Sequence, residues 1–305
     1  MKRKIFKLGA TTLVTSLPSK WVKQHNLKPG DELLSFEKEK SIIFSIIKDS
    51  EIKEVEIDIK ELNQELIREY LTGAYIRGYE QIKISFEKQE SLVFVQETIN
   101  SLIGLAIIEQ GNSFCIAGEI TETTDTQFEN IFRRIFLLTV SMAEDSLSAL
   151  NENNLEALKG IKRKDFDIDI FINFCFRVLN KKGYKNHFKT QIIYNILQVL
   201  GELGNNYGNL SVDLVKYTQL QFREELKKLY QNTNESVKKF YNLFYNFKKN
   251  EFLNFYQECK DRNNEIKSLD KLKNIKPEEM SILYHLRKIN DNLYNLFRLK
   301  INEQF

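Results

Sequence analysis

Positively charged and hydroxyl side chains are concentrated at the start of the chain. Residues 1–30 contain seven lysine or arginine residues and no acidic residue, whereas the whole chain carries a net charge of only +3. The side chains best suited to contact a phosphate-rich polyanion are Lys2, Arg3, Lys4, Lys7, Thr11 and Thr12. Ammonium and guanidinium groups displace condensed counterions, and hydroxyls donate to phosphate oxygens. The segment is predicted to bind an anion, with a solvated, solubilising face as the alternative.

Two carboxylates form the second candidate set. Asp165 and Asp169 are four residues apart, which places them on one face of a predicted helix. That spacing can present both carboxylates to one hard divalent cation, or to a basic patch on a partner. Residues 162–164 are all basic, so a solvated helix face is the alternative interpretation. Asp261 and Glu265 have the same spacing later in the chain, and they are expected to align with the first pair to within one residue.

The sequence lacks the motifs of the common nucleotide-binding and hydrolytic enzymes. It contains no Gly-x-Gly-x-x-Gly, no Gly-x-x-x-x-Gly-Lys-Ser/Thr and no Gly-x-Ser-x-Gly. The histidines are far apart, and the cysteines are odd in number and widely spaced: His25, His187 and His285; Cys115, Cys175 and Cys259. The sequence therefore predicts no enzymatic activity, no disulfide framework and no Cys-x-x-Cys site, and a divalent metal ion is the one cofactor that it suggests.

Composition indicates a folded protein of more than one domain. The chain has 305 residues, of which 42% are hydrophobic and 29% charged, and its mean hydropathy is -0.40. Disordered, collagen-like and membrane-embedded proteins have different compositions. No apolar stretch is long enough to span a bilayer, and the start of the chain lacks the apolar core of a secretory signal. We therefore expect a soluble, cytoplasmic protein without membrane insertion.

The distribution of glycine separates regions of different structure. All 12 glycines lie between Gly9 and Gly208, so the last third is predicted to be helical. Together with the hydrophobic periodicity, this predicts three domains. They are a β-rich head over residues 1–50, a small α/β linker domain over 51–120 and an all-α region over 121–305.

Short strands, one helix and a hairpin are predicted within the head. Strands at residues 4–7 and 11–15 flank a glycine turn, Pro18 opens a short helix, and residues 33–36 and 41–47 form the hairpin. A unit this small buries too little of its surface to be stable alone. We therefore expect the head to fold together with a second copy of itself.

The head resembles the SpoVT/AbrB family of swapped-hairpin DNA-binding domains over residues 3–47. The resemblance is carried by Lys7-Leu8-Gly9-x-x-x-Leu13-Val14-Thr15-x-Leu17-Pro18-x-x-Trp21-Val22, followed by Leu27-x-x-Gly30-Asp31-Glu32-Leu33. It implies an intertwined homodimer in which Lys2, Arg3, Lys4, Lys7 and the loop 9–12 lie against DNA. Since Arg3 is the only arginine in the head, we expect modest or shape-based sequence specificity.

The middle region has the pattern of a small α/β unit. Strands are predicted at 52–59, 82–86, 105–109 and 113–117, with a turn at Gly111-Asn112 and a helix over 89–102. The segment 71–79 resembles a Gly-Tyr segment that some archaeal-type regulators carry between their head and their helices.

An internal repeat marks the helical region. At an offset of 86 residues, Ile196, Leu197, Leu200, Leu203, Asn206, Asn209 and Leu210 coincide with Ile282, Leu283, Leu286, Ile289, Asn292, Asn295 and Leu296. The simplest physical meaning is a bundle of two three-helix repeats, over about 126–208 and 212–302. Helices are predicted at 126–151, 154–181 and 187–208, and at 212–248, 249–272 and 277–302, the last opened by Pro277.

The helical region resembles the PhoU family of phosphate-uptake regulators. The residues are Arg133-Arg134-x-Phe136…Met142-x-x-Asp145 and Lys164-Asp165-x-x-x-Asp169, within two tandem three-helix units. An AbrB-like head joined through a small linker domain to such a bundle is similar to archaeal phosphate-uptake regulators. The resemblance implies control of phosphate uptake and, in some members, metal binding through acid pairs. The last helix of each repeat departs from the family pattern, reading Gly201-Glu202-Leu203-Gly204-Asn205 and Arg287-Lys288-Ile289-Asn290-Asp291, so no multinuclear metal cluster is expected.

Two functions remain open at this point. In the first, the dimeric head binds DNA and the helical region senses phosphate status through a protein partner or a cation. In the second, the protein is an interaction adaptor that dimerises through its head and docks on a phosphate ABC transporter or a signalling protein without binding DNA. A metallo-hydrolase has little support, because the chain offers no set of histidine and acidic ligands in register.

Overall fold

The computed structural model describes residues 2–38, 41–46, 53–121, 124–217 and 222–304. The chain divides into two compact units, Met1–Glu51 and Ile52–Phe305. The first unit corresponds to the predicted head, and the predicted linker and helical regions both lie in the second. The predicted strand ends Ile47 and Ile52 fall outside the described residues.

Two antiparallel ribbons and one helix make up the first unit. Strand β1 (Ile5–Leu8) pairs with β2 (Thr12–Thr15), helix α1 spans Ser19–Gln24, and β3 (Leu33–Lys38) pairs with β4 (Ser41–Ile46). Gly9 has a φ of 73° in the turn between β1 and β2, a conformation that glycine adopts without steric cost. The observed elements follow the predicted order of strands and helix.

Apolar side chains of the first unit are exposed. None of its side chains that the structure describes is buried. Ile5, Phe6, Leu8 and Leu13 are between 56% and 68% exposed. Since apolar surface costs about 25 cal/mol for each Å² left in water, this much exposure is unfavourable for an isolated unit. The apolar surface of the ribbon is therefore left uncovered within one chain.

A four-stranded sheet opens the second unit. In the order β5-β6-β8-β7, it contains β5 (Glu54–Asp58), β6 (Gln81–Ser85), β7 (Leu105–Gln110) and β8 (Phe114–Glu119), with helices α2 (Gln64–Arg77) and α3 (Glu90–Asn100). β5 and β6 are parallel, which requires a crossover, and α2 supplies it. The sequence-based prediction contains the four strands and α3 but not α2, although the buried residues Ile67, Leu71, Ala74 and Tyr75 of α2 have helical spacing.

Six long helices complete the second unit. They are α4 (Asp125–Asn151), α5 (Leu155–Lys182), α6 (Thr190–Lys216), α7 (Glu224–Tyr245), α8 (Lys249–Asp270) and α9 (Pro277–Gln304). Local sequence explains several of the starts. Thr124 and Gln127 form a reciprocal capping box at α4, the Asn154 side chain caps α5, and Pro277 opens α9 as predicted.

The junction between the predicted repeats differs from the expectation. Helix α6 continues past Gly208 to Lys216, and α7 begins at Glu224 rather than near residue 212. Gly208 lies inside the helix, where its missing side chain lets α5 approach closely. The predicted helix, which ends at residue 208, is therefore too short.

Aromatic side chains fill much of the core between the helices. Between α4 and α7, the ring centroids of Phe136 and Phe244 are 4.7 Å apart. Between α8 and α9, the ring centroids of Phe252 and Phe297 are 4.6 Å apart. Edge and offset contacts of this kind add to the energy of apolar burial. Among the described residues, no helix combines the length and apolarity needed to cross a bilayer.

Candidate functional site

The predicted anion-binding residues lie along one accessible element. Lys2, Arg3 and Lys4 lead into β1, Lys7 lies within it, and Thr11 and Thr12 follow the glycine turn. All six side chains are exposed. The guanidinium of Arg3 donates to Ser16 Oγ at 3.3 Å, which ties the start of the chain to the end of β2.

Pairing of β1 with β2 fixes the face on which each side chain lies. Lys7 lies opposite Leu13, and Leu8 lies opposite Thr12. Because successive side chains of a strand alternate between faces, Lys7 and Thr12 lie on opposite faces of the ribbon. The first acid of the chain, Asp31, accepts a hydrogen bond from the Lys28 backbone N–H at 2.7 Å and so stabilises the turn before β3. The ribbon combines donors for anionic oxygens with an absence of carboxylates in residues 1–30.

Asp165 points from α5 towards α6 rather than into solvent. It is only 2% exposed, and its Oδ2 accepts a hydrogen bond from Lys162 Nζ at 2.6 Å. Its Oδ1 is buried and has no hydrogen-bond partner among the described residues. A Cβ at Gly208 would lie 2.5 Å from Oδ2, and one at Gly204 would lie 3.3 Å from Oδ1. The expectation of a solvated helix face is therefore wrong for Asp165.

The neighbouring carboxyl of Asp169 is half-buried. Burial and the nearby Asp165 carboxylate raise the pKa of Asp169 to about 6, against the lowering effect of Lys162. Two carboxylates thus share the one ammonium group of Lys162, so the site has a net negative charge when both carboxylates are ionised. In the described part of the chain, no group of three or more His, Cys, Asp or Glu side chains is placed to hold a metal ion. The described residues therefore offer no ligand set for a metal cluster at Asp165 and Asp169.

Removing the Asp169 charge should stabilise the protein at neutral pH. The folded chain binds more protons than the unfolded chain between about pH 4 and 6, so its stability falls as pH rises through this window. In the presence of a chelator, we expect Asp169→Asn to be more stable than the wild type by about 1–2 kcal/mol near pH 7.5 and unchanged near pH 4. Urea unfolding measures this. The exposed Asp167→Asn is the matched control, and an equal gain at both pH values would contradict the prediction.

Two glycines in the bundle helices should respond oppositely to alanine. At Gly208 a methyl group would collide with the buried Asp165 carboxylate, whereas at Gly160 it would meet nothing within 4 Å. We expect Gly208→Ala to cost about 1–3 kcal/mol through overpacking. We expect Gly160→Ala to gain about 0.5–1 kcal/mol, because alanine favours the helix. Thermal unfolding of both variants tests the pair, and a stabilised Gly208→Ala would show that the α5–α6 contact can relax.

The second acid pair lies in a different environment. Asp261 and Glu265 are exposed on α8, and Asp261 Oδ1 accepts a hydrogen bond from Gln257 at 2.9 Å. Between them in sequence, Arg262 points inward and is 5% exposed. The acids of this pair are exposed, whereas Asp165 is buried, so the predicted second pair does not reproduce the first site.

Sequence analysis misses a buried arginine that joins α5 to α2. Arg177 is 1% exposed, and its guanidinium donates to the Tyr75 carbonyl at 2.7 Å and the Tyr79 carbonyl at 2.8 Å. It also pairs with the Glu119 carboxylate at 3.3 Å. Carbonyls at a helix end need donors from elsewhere, and Arg177 supplies them. The signal in the sequence is a single charged residue within the apolar run 170–179.

Further polar contacts strengthen this joint. Lys181 Nζ pairs with Glu119 at 2.6 Å and with Glu80 at 3.2 Å, and the Asn180 side chain donates to the Ile76 carbonyl at 2.8 Å. Gly78, with a φ of 93°, ends α2 directly beneath the Lys181 side chain. The Gly-Tyr segment noted in the sequence is thus the end of α2, held by α5.

The chain is similar to proteins of known structure. No protein-family model matches the chain, and no curated protein sequence matches it. Among solved structures, the chain is similar to the phosphate transport system regulatory protein PhoU from Streptococcus pneumoniae, with 16% sequence identity and a TM-score of 0.49. The similarity covers 59% of this chain and 94% of that chain.

Proposed function

We propose that this protein is a non-enzymatic, dimeric, DNA-binding regulator of phosphate uptake. The observation that carries the proposal is the acid-free basic segment, which includes an exposed β-ribbon in a unit whose described side chains are all at least partly exposed. The resemblance of residues 3–47 to swapped-hairpin DNA-binding domains supports the same function. The link to phosphate comes from the resemblance of the helical region to PhoU proteins.

Dimerisation follows from the energetics of the ribbon. The exposed side chains of Ile5, Phe6, Leu8 and Leu13 need an apolar partner, and the described first unit buries none of its side chains. A second copy brings an identical apolar surface and doubles the basic charge in one place. An intertwined dimer of heads would therefore bury these apolar side chains and form the DNA-binding surface at the same time.

Electrostatics determines what the dimer would recognise. Seven basic residues in each copy of the segment would attract the phosphate backbone, and release of counterions would provide most of the binding energy. Bidentate recognition of guanine is best made by arginine, and the head contains only Arg3. Sequence preference would therefore depend mainly on the shape and flexibility of the DNA.

The helical unit would provide regulation through a protein partner, such as a phosphate transporter or a signalling protein, or through a cation. A ligand that favours one arrangement of the protein changes its affinity for DNA by the same coupling energy. For the cation, Asp165 Oδ1 and the Asp169 carboxylate would be the protein ligands, and the ion would supply the positive charge that the pair lacks.

An adaptor that only dimerises is the alternative function. The exposed apolar side chains of β1 favour a dimer under both functions, but only DNA binding requires the basic residues. Chromatin pull-down at high and low phosphate separates the two. A DNA-binding regulator would be enriched at phosphate-transport operons, and replacing Lys2, Arg3, Lys4 and Lys7 would abolish both this enrichment and cellular function. No enrichment, with full cellular function of the variant, would establish the adaptor.

A further inference from the structure

The connection between α5 and α6 presents an aromatic side chain to solvent. Phe188 lies in a short 3₁₀ helix, His187–Lys189, and is 86% exposed, more than any other large apolar side chain among the described residues. Each Å² of apolar surface left in water costs about 25 cal/mol. Single exposed apolar side chains are nevertheless common on protein surfaces, so the surroundings of Phe188 decide whether it has a binding partner.

Contacts within the connection hold it in one conformation. The Asn186 side chain accepts a hydrogen bond from the Phe188 backbone N–H at 3.1 Å. The Tyr184 backbone N–H donates to Thr190 Oγ1 at 2.9 Å, and Lys189 Nζ pairs with a carboxylate of α9 at 2.6 Å. The exposed ring is therefore carried by an ordered segment, so that binding a partner costs little conformational freedom.

A shallow hollow lies directly beside the exposed ring. It is lined by His187, Phe188, Thr190, Gln191, Tyr194 and Asn195. Tyr194 is half-buried, and its ring stacks on that of Phe176 with 4.1 Å between the centroids, which fixes one wall of the hollow. The same surface therefore combines a projecting aromatic ring with a hollow that is partly lined by aromatic side chains.

Charges around the hollow are balanced. None of its six lining residues is an acid, a lysine or an arginine. The lysines on either side of the exposed ring, Lys185 and Lys189, pair with Glu129 and Glu303. Such a surface offers little attraction to an anionic membrane or to a strongly charged peptide. A second copy of the same surface meets it without repulsion between like charges.

We propose that Phe188 and this hollow form a contact between two copies of the chain. In a twofold-symmetric pair, Phe188 of each copy lies in the hollow of the other, because one patch carries both parts. Two phenylalanines together bury about 300–500 Å², whereas a stable interface buries roughly 1,200 Å² or more. The contact therefore depends on the head dimer of the proposed function, which holds two copies at a high local concentration.

Photo-crosslinking of the full-length protein tests the contact. With p-benzoylphenylalanine in place of Phe188, irradiation should give a crosslinked dimer on a denaturing gel, and peptide mapping should join position 188 to the segment 187–195 of the second copy. The same probe in place of Phe166, which is 48% exposed on α5, is the matched control and should give about tenfold less dimer. A yield equal to that of the control, or crosslinks to another segment, would overturn the proposal. In cells, a product with a different protein and no crosslinked dimer would also overturn it.

Two further variants separate this contact from the head dimer. Gln191→Glu places a carboxylate in the hollow of both copies, although an acid in the first turn of α6 favours the helix itself. It should lower the yield from position 188 about tenfold, and an unchanged yield would show that the hollow is not the binding site.

The probe at Leu13 in β2 reports the head dimer, and Gln191→Glu should leave its yield unchanged. Crosslinks from position 13 without crosslinks from position 188 would overturn the contact and leave the proposed function intact. Crosslinks from position 188 alone would contradict the head dimer instead, and the absence of both would contradict the two together.

Discussion

DNA binding should fall by about a hundredfold or more when Lys2, Arg3, Lys4 and Lys7 are replaced together by glutamine. In a dimer the change removes eight positive charges from exposed positions beside one another. A protein that makes six to ten phosphate contacts loses roughly 10³–10⁵-fold in affinity when salt rises from about 50 to 200 mM. These contacts therefore provide much of the affinity, and losing most of them should weaken DNA binding strongly. Fluorescence anisotropy with a labelled promoter fragment from a phosphate-transport operon measures the loss.

The control variant removes the same number of positive charges from another part of the chain. Lys238, Lys248, Lys249 and Lys260 are exposed on α7 and α8 or at their ends, and replacing them by glutamine also removes four charges from each chain. We expect this control to bind DNA within about threefold of the wild type, because only long-range attraction is altered. An equal loss in both variants would show that net charge, rather than the ribbon, drives binding.

Replacing Arg177 by methionine should produce the largest loss of stability. The change removes the guanidinium donor from the Tyr75 and Tyr79 carbonyls, of which Tyr75 keeps the Gly78 N–H, and one of the two basic partners of the Glu119 carboxylate. Removing one member of a buried, hydrogen-bonded charge pair costs about 3–5 kcal/mol. Urea unfolding followed by circular dichroism would report this as a lower midpoint.

Two further variants show whether the loss comes from the joint. Arg163→Met makes the same chemical change at an exposed position on α5, and we expect a change within about 0.5 kcal/mol. Arg177→Lys keeps the charge but cannot reproduce the forked geometry, so its stability should be intermediate. If Arg177→Met were no less stable than Arg163→Met, the Arg177 contacts would contribute little to joining the sheet to the bundle.

Periodic and local signals in the sequence are sufficient for most elements. The strands of the middle region and the proline start at Pro277 depend on residues next to one another, and the structure contains them as predicted. Helix α2 is missed, although Ile67, Leu71, Ala74 and Tyr75 have helical spacing and Asn63 caps the helix, so the signal for it was present in the sequence.

Features that depend on packing between distant residues are not visible in the sequence. Gly208 has the local appearance of a helix end, but its function is to admit the Asp165 carboxylate from another helix. The helical spacing of Asp165 and Asp169 is correctly predicted, whereas the burial of Asp165 depends on α6. For the same reason, the sequence identifies the acids of the second repeat but not the inward orientation of Arg262 between them.

The dependence of DNA affinity on salt tests the central claim most directly. If the basic ribbons of a dimer bind the phosphate backbone, the dissociation constant of the full-length protein for a labelled duplex should rise steeply with salt. Contacts from the four basic residues of each copy give a slope of roughly -7 in log affinity against log salt concentration. An affinity that stays flat between about 50 and 200 mM salt would contradict the account.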